Sequence, residues 1–106
     1  MAEGTFYTLA EWRVTRGRED EFIAAWRRLA EAFSALPAQP IWGTLVRSER
    51  EPTLFYSFGP WPSEESIARM RADPIAQVAI ARAAALCDSA TPGAFRQVEH
   101  VELRTA

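Results

Sequence analysis

The residues from Thr5 to Val14 alternate, with Phe6, Thr8, Ala10 and Trp12 on one side and Tyr7, Leu9, Glu11 and Arg13 on the other. A period of two is that of a β-strand. Both sides are at least half apolar, which predicts a sheet covered on both faces. Thr15-Arg-Gly-Arg makes a turn, and Glu19-Asp-Glu then places acids where the first turn of a helix favours them. Phe22, Ile23, Trp26, Leu29, Ala30 and Phe33 recur at spacings of three and four, one apolar stripe of a helix running to about Leu36. Pro37 and Pro40 stop it. Ile41 to Glu49 and Thr53 to Trp61 predict two strands, joined as an antiparallel hairpin by Arg50-Glu51-Pro52. Ser63 is the N-cap of a short helix whose apolar positions are Ile67 and Met70. Asp73-Pro74 breaks that helix and opens a third, Ile75 to about Leu86, with Ile75, Val78, Ala79, Ala83 and Leu86 inward. Asp88 to Gly93 reads as a loop, and Ala94 to Leu103 as the last strand.

The predicted order is βαββαβ, the last helix being a pair. It fits an α+β ferredoxin-like sandwich with an antiparallel sheet and its helices on one face, a single domain over residues 1–106. The second face of such a sheet carries Tyr7 and Leu9, and an apolar face of that extent calls for a cover. A second copy of the chain is the simplest one, giving a homodimer packed sheet to sheet.

Composition narrows the chemistry. The 106 residues carry 14 acids and 12 bases, a formal charge of −2, without the basic face that phosphates require, so no nucleic-acid partner is expected. All 12 bases are arginine; the lack of lysine excludes Schiff-base chemistry on a side-chain amine, and the lack of asparagine excludes any mechanism that needs its carboxamide. His100 is the single histidine and Cys87 the single cysteine, which excludes multi-histidine metal sites and an intramolecular disulfide. No metal site is expected. Met1-Ala-Glu-Gly-Thr lacks the basic and apolar regions of a signal peptide, and no apolar run reaches the roughly 20 residues that span a bilayer. The expected setting is soluble and cytoplasmic, away from membranes.

The run Ala10-Glu-Trp-Arg-Val-Thr-Arg-Gly-Arg-Glu-Asp-Glu-Phe with Ala25-Trp26 resembles the first strand and helix of the antibiotic-biosynthesis-monooxygenase-like family. So does Phe55-Tyr-Ser-Phe-Gly-Pro-Trp-Pro-Ser, followed by Glu64-Glu-Ser-Ile and Ala72-Asp-Pro. The resemblance spans about residues 5 to 103 and implies a dimeric α+β barrel. One group in the family consists of cofactor-free oxygenases of anthrones and quinols; another degrades haem. Trp61 matches the family's tryptophan at the end of the third strand. The haem-degrading pattern is not met: its first-strand asparagine falls at Trp12, its helical tryptophan at Met70 and its iron-ligating histidine near Ala79. The histidines of the quinol-oxidising branch fall at Met70 and Ile75.

Cofactor-free oxygenation requires a dry aromatic pocket, a proton acceptor and a donor for the resulting oxyanion. Pocket candidates are Trp12, Phe22, Trp26, Trp42, Phe55, Trp61 and Met70, with Val78 from the third helix. An ordinary core would employ the same residues. His100 has the only side chain that normally titrates near neutrality and is the candidate base, although a solvated or structural role suits a lone histidine on a last strand. Tyr56 and Arg47 are candidate oxyanion donors, with Tyr7 and Arg13 beside them. Glu11 with Arg13, or Arg47 with Glu49, would equally serve as cross-strand ion pairs, and Cys87 as a buried bystander thiol. The resemblance implies a monooxygenase acting without a cofactor on a small hydrophobic aromatic substrate. The alternatives are a small-molecule-binding protein of the same fold and a polyketide cyclase-like enzyme.

Overall fold

The computed structural model describes residues 5–104, so the Met1–Gly4 part of the segment read as lacking a signal peptide lies outside it. Four strands and three helices follow one another as β1 (Phe6–Val14), α1 (Glu19–Ser34), β2 (Thr44–Arg47), β3 (Leu54–Trp61), α2 (Glu64–Ala72), α3 (Pro74–Ala84) and β4 (Cys87–Arg96). All neighbouring strands are antiparallel, in the order β2-β3-β1-β4. This is the α+β ferredoxin-like arrangement. Among the described residues no helix is long and apolar enough to cross a membrane.

Register and pleat sort the side chains. Trp12 pairs with Phe55, Ala10 with Ser57, Thr8 with Gly59 and Phe6 with Trp61, and this row faces the helices. Tyr7, Leu9, Glu11 and Arg13 share the outer face with Tyr56 and Phe58. Helix α1 turns Phe22, Ala25 and Leu29 onto the sheet, whereas Ile23, expected in the stripe, is 39% exposed.

Two apolar clusters result. One contains Trp12, Val14, Phe22, Ala25, Leu29, Phe55 and Ala83; the other contains Trp61, Ile67, Met70 and Ala76. Phe33 and Ile80 pack against both.

The α2 cap is a reciprocal box in which serine replaces the usual glutamate. Ser66 N–H donates to Ser63 Oγ at 3.1 Å, and Ser63 N–H to Ser66 Oγ at 3.2 Å. Asp73 caps α3 by accepting from Ala76 N–H at 2.8 Å, and Pro74 supplies its first turn.

Three expectations are corrected. Residues 88–93 are strand, not loop: β4 runs Cys87–Arg96, and 97–104 lie outside any strand, His100 among them. The Asp-Ser-Ala-Thr-Pro-Gly composition signals a turn, but β4 is an edge strand, where a proline without an N–H and a glycine are tolerated. Helix α3 is rotated from its predicted phase: Ala76 and Ala83 are buried, while Ile75 and Val78 are 70% and 50% exposed. Alanine-rich helices carry little periodic signal, and the two large residues misplace the inward face. Finally, β2 begins at Thr44 rather than Ile41.

The cause of that late start is local. Residues 41–43 cross the end of β3, with Ile41 N–H donating to Pro60 O at 2.9 Å. A Cβ on Gly59 would stand 2.2 Å from the Trp42 carbonyl oxygen and 3.2 Å from Gly43 Cα. Only glycine at 59 admits this close backbone approach.

Candidate functional site

Between the helix-facing side of the sheet and α1 lies a cavity of about 660 Å³ that opens to solvent. That is within the range of small-molecule sites. Thr8, Ala10, Trp12, Ser57, Gly59 and Trp61 form its floor on β1 and β3; Trp26, Leu29, Ala30 and Phe33 form a wall on α1. Met70, Arg71 and Ile80 come from α2 and α3, and Gln39 to Gly43 form a lip. Leu9, Phe58 and Gly93, one cross-strand row, also border it.

The sheet period sets the polarity of the floor. Trp12 indole N–H donates to Ser57 Oγ at 2.9 Å, and Trp61 indole N–H to Thr8 Oγ1 at 2.9 Å. Both tryptophans are thereby satisfied although nearly fully buried. Each hydroxyl accepts from an indole and, among the described residues, donates to no protein group, which leaves its proton for a ligand oxygen.

Of the residues singled out from the sequence, Trp12, Trp26, Trp42, Trp61 and Met70 line this cavity. Phe22 and Phe55 do not; they are buried behind Trp12, with ring centroids 5.2 Å apart in both the Trp12–Phe22 and Phe22–Phe55 pairs. Val78 is exposed on α3, away from the lining.

The three chemical candidates lie elsewhere. Arg47 stacks its guanidinium 5.0 Å from the Phe55 ring centroid and donates from Nε to Pro52 O at 2.8 Å. Tyr56 is on the outer face, donating to Glu11 Oε1 at 3.0 Å, and that carboxylate pushes its phenol above the ordinary value. His100 is exposed beyond β4, its Nε2 2.7 Å from Glu102 Oε2.

Arg13 pairs with Glu11 and Glu51, both at 3.1 Å. Tyr7, also on the outer face, donates weakly to Gln97 at 3.4 Å.

The residues that reading from sequence passed over are Thr8, Ser57 and Arg71. The first two were accessible through strand parity, since Thr8 shares a face with Trp12, and Ser57 with Phe55 and Trp61. Arg71 carries no such signal: it is one of 12 arginines.

Burial, and then the charge of Asp88, push the Cys87 thiol up to about 11. At pH 8 its thiolate is scarce, so alkylation by iodoacetamide is expected to run about a hundredfold slower than for a thiol at 9.0, the ordinary value. A rate equal to that of the urea-unfolded chain would contradict this burial.

The sequence pattern of the antibiotic biosynthesis monooxygenase family matches residues 5–82, well over half the chain. The chain belongs to that family. Its fold is that of several solved structures. One is a mutant of SnoaB, a cofactor-independent oxygenase from Streptomyces nogalater, with a TM-score of 0.84 and 19% identity over 93% of this chain and 98% of that one. A structure described as an antibiotic biosynthesis monooxygenase has a TM-score of 0.74 and 16% identity, covering 89% of this chain and 99% of that one. A conserved protein from Methanosarcina mazei Go1 has a TM-score of 0.78 and 14% identity, covering 89% and 93%. No curated protein matches in sequence. This antibiotic biosynthesis monooxygenase family member thus shares its fold with a cofactor-independent oxygenase.

Proposed function

We propose that this family member is a cofactor-independent monooxygenase of a small hydrophobic aromatic substrate, acting in the cytoplasm as a dimer joined through the outer sheet face. The observation that carries the reading is the cavity floor: two buried indoles flank two hydroxyls whose protons are uncommitted. The indoles and Phe33 offer flat apolar walls to a ring system. Ser57 and Thr8 would donate to a ring oxygen as negative charge builds on it, which in an apolar setting is worth far more than in water.

Oxidation of an anthrone shows the balance. Its ring CH₂ becomes C=O, one atom of O₂ remains in the product, and the other leaves as water with the two hydrogens. The substrate supplies all the electrons. The cavity lining contains no carboxylate, histidine, tyrosine or cysteine among the described residues, so the substrate's acidic proton would pass to water at the open side. That same lack of a proton acceptor favours a second reading, a binding protein of the same fold.

Oxygen uptake with anthrone and dihydroquinone substrates separates the two. For an oxygenase, uptake exceeds the uncatalysed rate, and Ser57→Ala lowers kcat about 10- to 100-fold with little change in KM. Uptake at the uncatalysed rate across both substrates, with binding retained, would leave the binding protein.

A further inference from the structure

Among the described residues that line the cavity, Arg71 alone has an ionisable side chain. It is exposed at the end of α2, next in sequence to Met70, which is buried on the cavity side. The ion pairs among the described residues involve Arg13 and Arg18, so the Arg71 guanidinium has no carboxylate partner among those residues. An apolar cavity with one uncompensated cation at its rim is complementary to an apolar body bearing one negative charge. The protein's net charge of −2 does not favour anions in general, so any such preference is local to Arg71.

We infer that the cavity's ligand is an aromatic carboxylic acid, with its rings against the indoles and its carboxylate on Arg71. A carboxylic acid, with a pKa of about 4, is ionised at neutral pH before it arrives, whereas a phenol at the exposed rim would still be protonated, since its pKa is about 10. The planar guanidinium donates two parallel N–H groups to a carboxylate, which fixes the direction in which the ring system enters. The charge thereby orients the far end of the rings toward Ser57 and Thr8, and Arg71 is a specificity and positioning residue rather than a catalytic one. The inference rests on the cavity being the ligand site proposed above.

The test is calorimetric titration with anthracene-2-carboxylate and the isosteric neutral anthracene-2-carboxamide, at low and high salt, on the wild type and Arg71→Gln. The substitution leaves the helix surface polar and the Arg71 carbonyl, which accepts from Gln77 Nε2 at 2.8 Å, in place. The acid is expected to bind about tenfold or more tightly than the amide in the wild type, with the margin shrinking in salt and vanishing in Arg71→Gln. Equal affinities in the wild type, or a preference that survives Arg71→Gln, would overturn the charge assignment while leaving the aromatic site standing. Failure of both compounds to bind would overturn the aromatic site itself and this inference with it.

Discussion

Trp61→Ala is expected to destabilise the fold by about 3–5 kcal/mol, a large part of the roughly 5–15 kcal/mol typical of a domain. The indole is 2% exposed, packs edge-on against Phe33 with centroids 5.4 Å apart, and holds the Thr8 hydroxyl. Its removal deletes a large side chain from the second apolar cluster and part of the cavity floor at once. Urea titration should show a lower midpoint. Affinity for an aromatic ligand should fall more than about tenfold in whatever fraction remains folded, because the cavity floor loses the indole that supports it and that holds Thr8. A loss of under about 1 kcal/mol would mean that the indole is not the packed element described here.

Phe22→Ala should destabilise by a similar amount, about 3–5 kcal/mol, with a different functional outcome. Phe22 is 0% exposed and wedged between Trp12 and Phe55, but it does not line the cavity. Under conditions where the variant is folded, its ligand affinity is expected to stay within about threefold of wild type, since no contact surface is removed. The pair of variants separates stability from recognition. Equal losses of affinity would mean that Trp12 moves when Phe22 no longer supports it, and that the cavity floor extends one layer deeper.

Strand parity made the sheet legible from sequence. The alternation of Thr5 to Val14 sorted its side chains onto the faces they occupy, and the polar Arg50-Glu51-Pro52 connection marked the β2–β3 hairpin. The turn residues of β4 obscured it because edge strands obey looser composition rules than central ones. The error at β4 also placed His100 on a strand, whereas the chain beyond Arg96 carries it into solvent. Within the cavity, large aromatic residues announced themselves and small polar ones did not. Ser57 matters because of which indole donates to it, a relation between strands 45 positions apart that no local pattern encodes. Arg71 required knowing which helix end borders the opening.

The cavity runs along the seam between the two apolar clusters: Trp12 and Leu29 belong to one, Trp61 and Met70 to the other, and Phe33 and Ile80 touch both. Along that seam the side chains of the two clusters do not close-pack on one another, so they lack dispersion contacts that a continuous core would give them. A guest that fills the cavity welds two half-cores into one, so that the small molecule becomes a building block of the protein's interior. Occupancy and folding are then a single linked equilibrium, in which ligand at about a hundred times its Kd adds about 2.7 kcal/mol to the native state. A chain whose cavity is filled is accordingly more completely folded than the same chain alone, and loss of the guest is also a partial loosening of its core.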